Sequence, residues 1–190
     1  MITFCINLPE RKDRWDRVQS EFPKLDLTVL KVDAIKRMNG HEGCIESHRK
    51  CLVEAVKYYE FLVVEDDVKI IGTLNQFNRA YDQLPEDYDC MYLGATLTRN
   101  LQKYSKNLFR LKGGLTTHAI LYNNQNGIVD YIIQNIEGPY IDQFMFEVQE
   151  LFNCYIAYPM IATQEQGYSD IVNRVVDYKV ITETYKRHTE

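Results

Sequence analysis

The chain has no apolar run approaching the ~20 residues needed to span a bilayer; its longest, Tyr155 to Ala162, is interrupted by Pro159. Nor does it open on a basic segment followed by an apolar stretch of about ten residues, so no secretory leader is read and a cytoplasmic protein is expected. It has no CxxC pair. Its five cysteines, Cys5, Cys44, Cys51, Cys90 and Cys154, are odd in number and widely spaced, which fits reduced, mostly buried thiols rather than a disulfide framework. It has no surplus of positive charge: 22 Lys and Arg face 27 Asp and Glu, a formal net charge of −5. That balance disfavours a nucleic acid as partner. Phosphate-loop, nucleophile-elbow and HExxH patterns are absent, which removes three common catalytic layouts. Internal repeats, low-complexity tracts and Ser/Pro-rich linkers are absent too, so residues 1–190 read as one continuous domain.

What is present is an ordinary globular composition, 45% apolar and 26% charged, which excludes a disordered or collagen-like chain. Ile2 to Leu8 reads as a strand, and Pro9 suits the first turn of a helix running to about Phe22. Leu27 to Val32 reads as a second strand, followed by a helical pattern from about Glu42 to Tyr59. Phe61 to Val64 is a short continuous apolar run, the mark of a strand covered on both faces. A helix over Leu74 to Leu84 and strands over Cys90 to Leu93 and Thr117 to Tyr122 come next. Helices over Gly127 to Ile136 and Ile141 to Phe152 precede a last strand, Tyr155 to Ile161. This alternation predicts an α/β fold with a mainly parallel sheet flanked by helices. In such a sheet the ligand crevice lies beyond the carboxyl ends of the strands.

The residues just after each strand are therefore the candidates. After the first come Asn7, Leu8, Arg11 and Arg14, with the two arginines on the stripe that Trp15, Val18 and Phe22 continue. Cations at a helix start oppose its dipole, which is understandable where an anion is to be seated. The plainer reading is a solvated face on which Glu10 and Asp13 compensate the charge. Asp33 ends the second strand, where a carboxylate could accept from a ribose or simply form a turn. Ser47 and His48 lie early in the next helix. Cys44, His48 and Cys51 share one face of it, but three ligands on one straight helix rarely close a tetrahedron, so this reads as a core-facing stripe.

The strongest signal is Glu65-Asp66-Asp67 at the end of the apolar strand. Three successive carboxylates repel one another unless a cation or solvent screens them. In extended chain Glu65 and Asp67 project together, a spacing that suits Mn²⁺ or Mg²⁺. Later, Asp142 sits at a helix start, and Asp170 lies in the polar loop after the last strand.

Taken in order, these pieces resemble glycosyltransferase family 25, the lipopolysaccharide-biosynthesis and procollagen galactosyltransferase-like group. The matching segments are INLPERKDRWDRV, VDAI, HEGCIESHRKCL, FLVVEDDV, DCMYLGA, THAILYN, PYIDQFM and YPMIATQEQGYSDI, spanning about residues 2 to 171. The resemblance implies a GT-A-like, Rossmann-type fold and inverting transfer of a hexose from a nucleotide-diphosphate donor, most often UDP-linked, to a glycan or glycoprotein hydroxyl. It also implies a divalent cation, Mn²⁺ or Mg²⁺. It matches Asp67, assisted by Glu65 and Asp66, to the metal-binding acidic motif. Arg11 and Arg14 match donor-binding residues. Asn7, Leu8, Asp33, Ser47 and His48 fall in segments near the nucleotide. Asp142 and Asp170 match late aspartates of the family pattern. The chain is shorter than typical members, and His118 stands where many relatives carry another residue, which leaves acceptor choice open. Compact versions of this kind resemble those of large viruses, which would place the protein in a host cytoplasm, or of bacterial polysaccharide loci.

Chemistry asks for a base to deprotonate the acceptor hydroxyl. Asp142 is the first candidate, with Asp170 and Glu147 in reserve. The alternatives are a non-catalytic nucleotide-sugar-binding module of the same fold and a nucleotidyltransferase. The latter wants a glycine-rich loop where this chain has Pro9-Glu10-Arg11.

Overall fold

A computed structural model describes residues 1–189. The chain starts with β1 (Ile2–Asn7), whose alternating β-branched and apolar residues are almost wholly buried, then α1 (Lys12–Glu21), β2 (Thr28–Asp33) and α2 (Gly40–Ala55). Next come β3 (Glu60–Glu65), β4 (Val68–Ile70), α3 (Leu74–Tyr81) and β5 (Cys90–Tyr92). Four short strands follow, β6 (Thr96–Leu97), β7 (Gln102–Lys103), β8 (Leu108–Arg110) and β9 (Gly114–Leu115). Then come β10 (Ala119–Asn123), α4 (Ile128–Asn135), α5 (Ile141–Leu151) and β11 (Cys154–Ala157). The chain closes with β12 (Ala162–Gln164), β13 (Gly167–Ser169), β14 (Arg174–Val176) and α6 (Lys179–Thr189).

Eight strands form one sheet in the order β2-β1-β3-β10-β5-β11-β8-β7. β1 pairs in parallel with β2 and β3, and β5 with β11, while β10 and β8 run against their neighbours. Six of the eight strands therefore point the same way, the mainly parallel mixed sheet flanked by helices that the alternation predicts. Residues of β3 alternate between two cores. Phe61 and Val63 face the side covered by Ile45 and Leu52 of α2, Val148 of α5 and Ile181 of α6. Leu62 and Val64 face Val18 and Phe22 near α1 and Phe77 of α3. Burying each such side chain contributes roughly 1.5–3 kcal/mol, and burial on both faces is why this strand carries no polar alternation.

Several boundaries differ from the sequence expectation. α1 begins at Lys12, because Pro9 and Glu10 lie in a turn closed by the Arg11 N–H on the Leu8 carbonyl at 2.8 Å. α2 stops at Ala55, and Tyr59, 80% exposed, belongs to the short turn into β3. The apolar run from Tyr155 to Ile161 is not one strand: β11 ends at Ala157, and Ala162 opens β12, which pairs with β4. Gly94, just past β5, allows that crossing, since a Cβ there would lie 1.9 Å from the Ala162 carbonyl oxygen. The hairpin β13–β14 and helix α6 have no counterpart in the sequence reading.

Candidate active site

Beyond the carboxyl ends of β1 and β3 lies a cleft divided into two chambers of about 410 and 350 Å³. The first is walled by the end of β1, the 34–38 loop, the start of α2 and the acidic strand end. The second is walled by His41, Thr116, Thr117, Tyr140 and Asp142 among others. Cys44, Glu65, Gln164, Ser169, Ile171 and Tyr178 line both, so they form the partition. Three of these belong to the segment 165–178, a strap that crosses the cleft between β12 and α6.

The acidic run fans out at the strand end. Glu65 lies on the α2 side of the sheet. Thr117 Oγ1 donates to its Oε1 at 2.6 Å, and His48 Nε2 is 3.3 Å from the same atom. Burial would raise its pKa, but the His48 ring beside it and the Thr117 hydrogen bond hold it below the ordinary value. Asp66 lies on the α1 side, where Arg14 Nη1 donates at 2.5 Å and Asn7 Nδ2 at 2.8 Å. Among the described residues Asp67 receives only Gln164 Nε2 from side chains, at 3.1 and 3.2 Å. Burial, and then the neighbouring charges of Glu65 and Asp66, push it up to about 7. The expectation that Glu65 and Asp67 project together as a strand pair is corrected: β3 ends at Glu65, and Asp66 and Asp67 form the turn into β4. All three nevertheless line the first chamber.

Among the described residues no group of three or more His, Cys, Asp and Glu side chains is arranged to hold a metal ion. That excludes a ready-made all-protein cage. It leaves the arrangement typical of Mg²⁺, in which one or two carboxylates hold the ion and water or substrate phosphate completes the shell. Asp67, a poorly compensated buried carboxylate beside Glu65, fits that demand.

The two arginines have protein anions as partners. Arg14 bridges Asp66 and the Tyr168 carbonyl, the latter at 2.5 Å, and Arg11 pairs with both Asp13 and Asp170. Glu10 compensates Lys36 rather than either arginine. A third arginine, Arg17, donates to the Asp66 carbonyl at 2.8 Å.

Of the other candidates, Leu8, Ser47 and His48 line the first chamber. Ser47 Oγ donates to the Gly43 carbonyl at 2.5 Å and accepts from the Ile35 N–H at 2.8 Å, so it shapes the 34–38 loop. A Cβ at Gly43 would lie 2.6 Å from the Ile35 carbonyl oxygen, so the helix and loop meet backbone to backbone. Asp33 does not join the site: its side chain is 60% exposed and pairs with Lys31. The loop that follows it, Ala34 to Met38, lines the chamber instead.

Asp142 enters the second chamber from the start of α5, where its Oδ1 accepts the Thr116 N–H at 3.0 Å. Burial, then the Glu65 charge, raise it to about 6. Its donor, Thr116, sits at φ +70°, a left-handed conformation a β-branched residue adopts only when its surroundings enforce it. Asp170 lines the first chamber but is committed to Arg11. Glu147 lines neither chamber and accepts the Tyr131 hydroxyl on the exposed side of α5, which removes it as a reserve base. His118 is fully buried, between Thr116 Oγ1 at 3.2 Å and the Ala162 carbonyl at 3.3 Å, so it supports the chamber wall from behind. Gln164, Thr117 and Tyr178 are site residues that the sequence reading missed. Gln164 falls inside a motif quoted above, but its role needs β12 folded back against β4.

No known sequence family matches the chain, and no curated protein sequence does. Among solved structures, A197 from STIV overlaps with a TM-score of 0.54 at 12% identity, over 92% of each chain. Looser overlaps include a Drosophila β1,4-galactosyltransferase 7 mutant crystallised with manganese, UDP-Gal and xylobiose (TM-score 0.46, 8% identity, 92% of this chain and 68% of that one). Another is a glycosyltransferase involved in glycosylating the major capsid of PBCV-1 (TM-score 0.40, 8% identity, 83% and 92%). At such identities the likeness is one of fold. The fold itself is α/β, a mainly parallel mixed sheet flanked by helices.

Proposed function

We propose that the protein is a glycosyltransferase that moves a sugar, a hexose in the first instance, from a nucleoside diphosphate donor to an acceptor hydroxyl with inversion at the anomeric carbon. The observation that carries this reading is the pair of unlike carboxylate environments across one partition, Asp67 in the first chamber and Asp142 in the second. In the first, the 34–38 loop and Ser47 shape a slot for the nucleoside of a UDP-type donor, next to Asp67 and Glu65. A bound Mn²⁺ or Mg²⁺ would supply charge neutralisation for the departing diphosphate. Arg14, which lines that chamber, offers a charge-assisted contact to the same oxygens, and Arg11 stands behind Asp170 at its edge. In the second chamber, Asp142 takes the acceptor proton. The acceptor oxygen bonds the anomeric carbon, the bond from that carbon to the phosphate oxygen breaks, and the nucleoside diphosphate leaves with the electron pair. A glycan hydroxyl, free or on a glycoprotein, is the acceptor this chemistry asks for.

Asp142 is the stronger base candidate, because a carboxyl raised to about 6 is ionised at neutral pH yet retains proton affinity. Asp170 is the weaker one, since Arg11 neutralises it. The test is a panel of nucleotide sugars and acceptor glycosides scored for nucleoside diphosphate release with Mn²⁺ and with chelator. The native chain should release UDP, and kcat/KM should rise with pH to a plateau through about pH 6, because the base acts only when ionised. Asp142→Asn should lower kcat by roughly 10²–10⁴-fold while donor binding is kept. No release with any donor would reduce the protein to a nucleotide-sugar-binding module.

A further inference from the structure

The two arginines at the start of α1 are both held by the strap. Arg11 Nη1 donates to the Asp170 carboxylate, and Arg14 Nη2 donates to the Tyr168 carbonyl at 2.5 Å. We propose that the strap is an internal substrate mimic: Asp170 and the Tyr168 carbonyl occupy the anion site that a diphosphate takes, and binding the diphosphate displaces the strap. The identity of the ligand as a diphosphate rests on the transferase reading; the self-occupied site does not.

Three observations support the exchange. A guanidinium fork matches phosphate oxygens at least as well as a carboxylate, and better than a neutral carbonyl, so a diphosphate out-competes the Tyr168 contact on Arg14. The strap is also weakly anchored. Among the described residues β13 and β14 pair only with each other, and a lone two-stranded ribbon is marginal in water. Its Tyr168, Val172 and Val175 side chains are exposed rather than packed. Finally, the strap closes the cleft against the first turn of α2, where a Cβ at Gly40 would lie 2.6 Å from the Ile171 Cα. Ser169, Ile171 and Tyr178 then separate the chambers. Displacing the strap would join them, as a sugar in one and a hydroxyl in the other require.

The test is the sign of one substitution. The Asp170 side chain is 31% exposed, so Asp170→Asn leaves the core intact. By calorimetry in magnesium buffer, the folded variant should bind inorganic pyrophosphate roughly fivefold more tightly than the native chain, the scale of one partly exposed ion pair. Pyrophosphate should also speed tryptic cleavage after Arg174 in the native chain. Unchanged or weaker binding in Asp170→Asn, or protection of Arg174 by pyrophosphate, would overturn the proposal. The two readings fail separately. Tighter pyrophosphate binding without turnover on any nucleotide sugar would keep the mimic and remove the transferase. Turnover with unchanged binding in Asp170→Asn would do the reverse.

Discussion

At the scale of single residues, the acidic strand end shows how three neighbouring carboxylates acquire three different chemistries. Among the described side chains, Asp66 has Arg14 and Asn7, Glu65 has Thr117 and His48, and Asp67 has Gln164 alone. Burial raises Asp66 as well, but Asp67, with less to compensate it, bears most of the cost of the cluster. Its folded pKa, about 7, lies above its ordinary value of 3.8, so between those limits the folded state binds more protons than the unfolded one. Its contribution to stability accordingly falls as pH rises from about 4 to 7 and stays unfavourable above. In chelator at pH 8, Asp67→Asn should stabilise the protein by ~1–3 kcal/mol in urea titrations while lowering affinity for Mn²⁺. Destabilisation at that pH would show that the carboxylate is already compensated.

At the scale of elements, the site depends on close backbone contacts at a few crossings. β12 reaches Asp67 through Gln164 because the chain after β11 passes closely over Gly94. The Leu93 carbonyl accepts the N–H groups of both Ile161 and Ala162, at 2.8 and 3.0 Å, which fixes the crossing. Gly94→Ala places a methyl group against the Ala162 carbonyl and should cost about 1–3 kcal/mol, read as a lower urea midpoint with an unchanged slope. Because Gln164 moves with β12, Mn²⁺ binding should weaken in the same variant. A native-like midpoint would mean that β5 and β12 separate more readily than their contacts imply.

At the scale of the whole molecule, both chambers sit where β1, β3, β12 and the helices on either face converge, so occupancy is linked to global stability. A ligand that binds only the folded chain stabilises it by roughly 2.7 kcal/mol at a hundred times its dissociation constant. Mn²⁺ and UDP together should raise the melting temperature by more than the sum of their separate effects, since each screens the other's charge beside Asp67. Simple additivity would place cation and nucleotide apart. Among the described residues no helix is long and apolar enough to cross a membrane.

The alternation of strands and helices, the doubly covered Phe61–Val64 run and the acidic strand end were legible in the chain itself, because periodicity and charge crowding are local properties. The α/β class and the position of the crevice followed from them. Local pattern could not reveal that Asp33 turns outward, that Glu147 misses the cleft or that His118 is walled in, since each depends on what packs opposite. The partners of Arg11 and Arg14 are farther still: Asp170 lies 159 positions along the chain from Arg11, and Asp66 lies 52 from Arg14. Only the folded sheet brings these groups within contact, and charge neutralisation acts through space rather than along sequence.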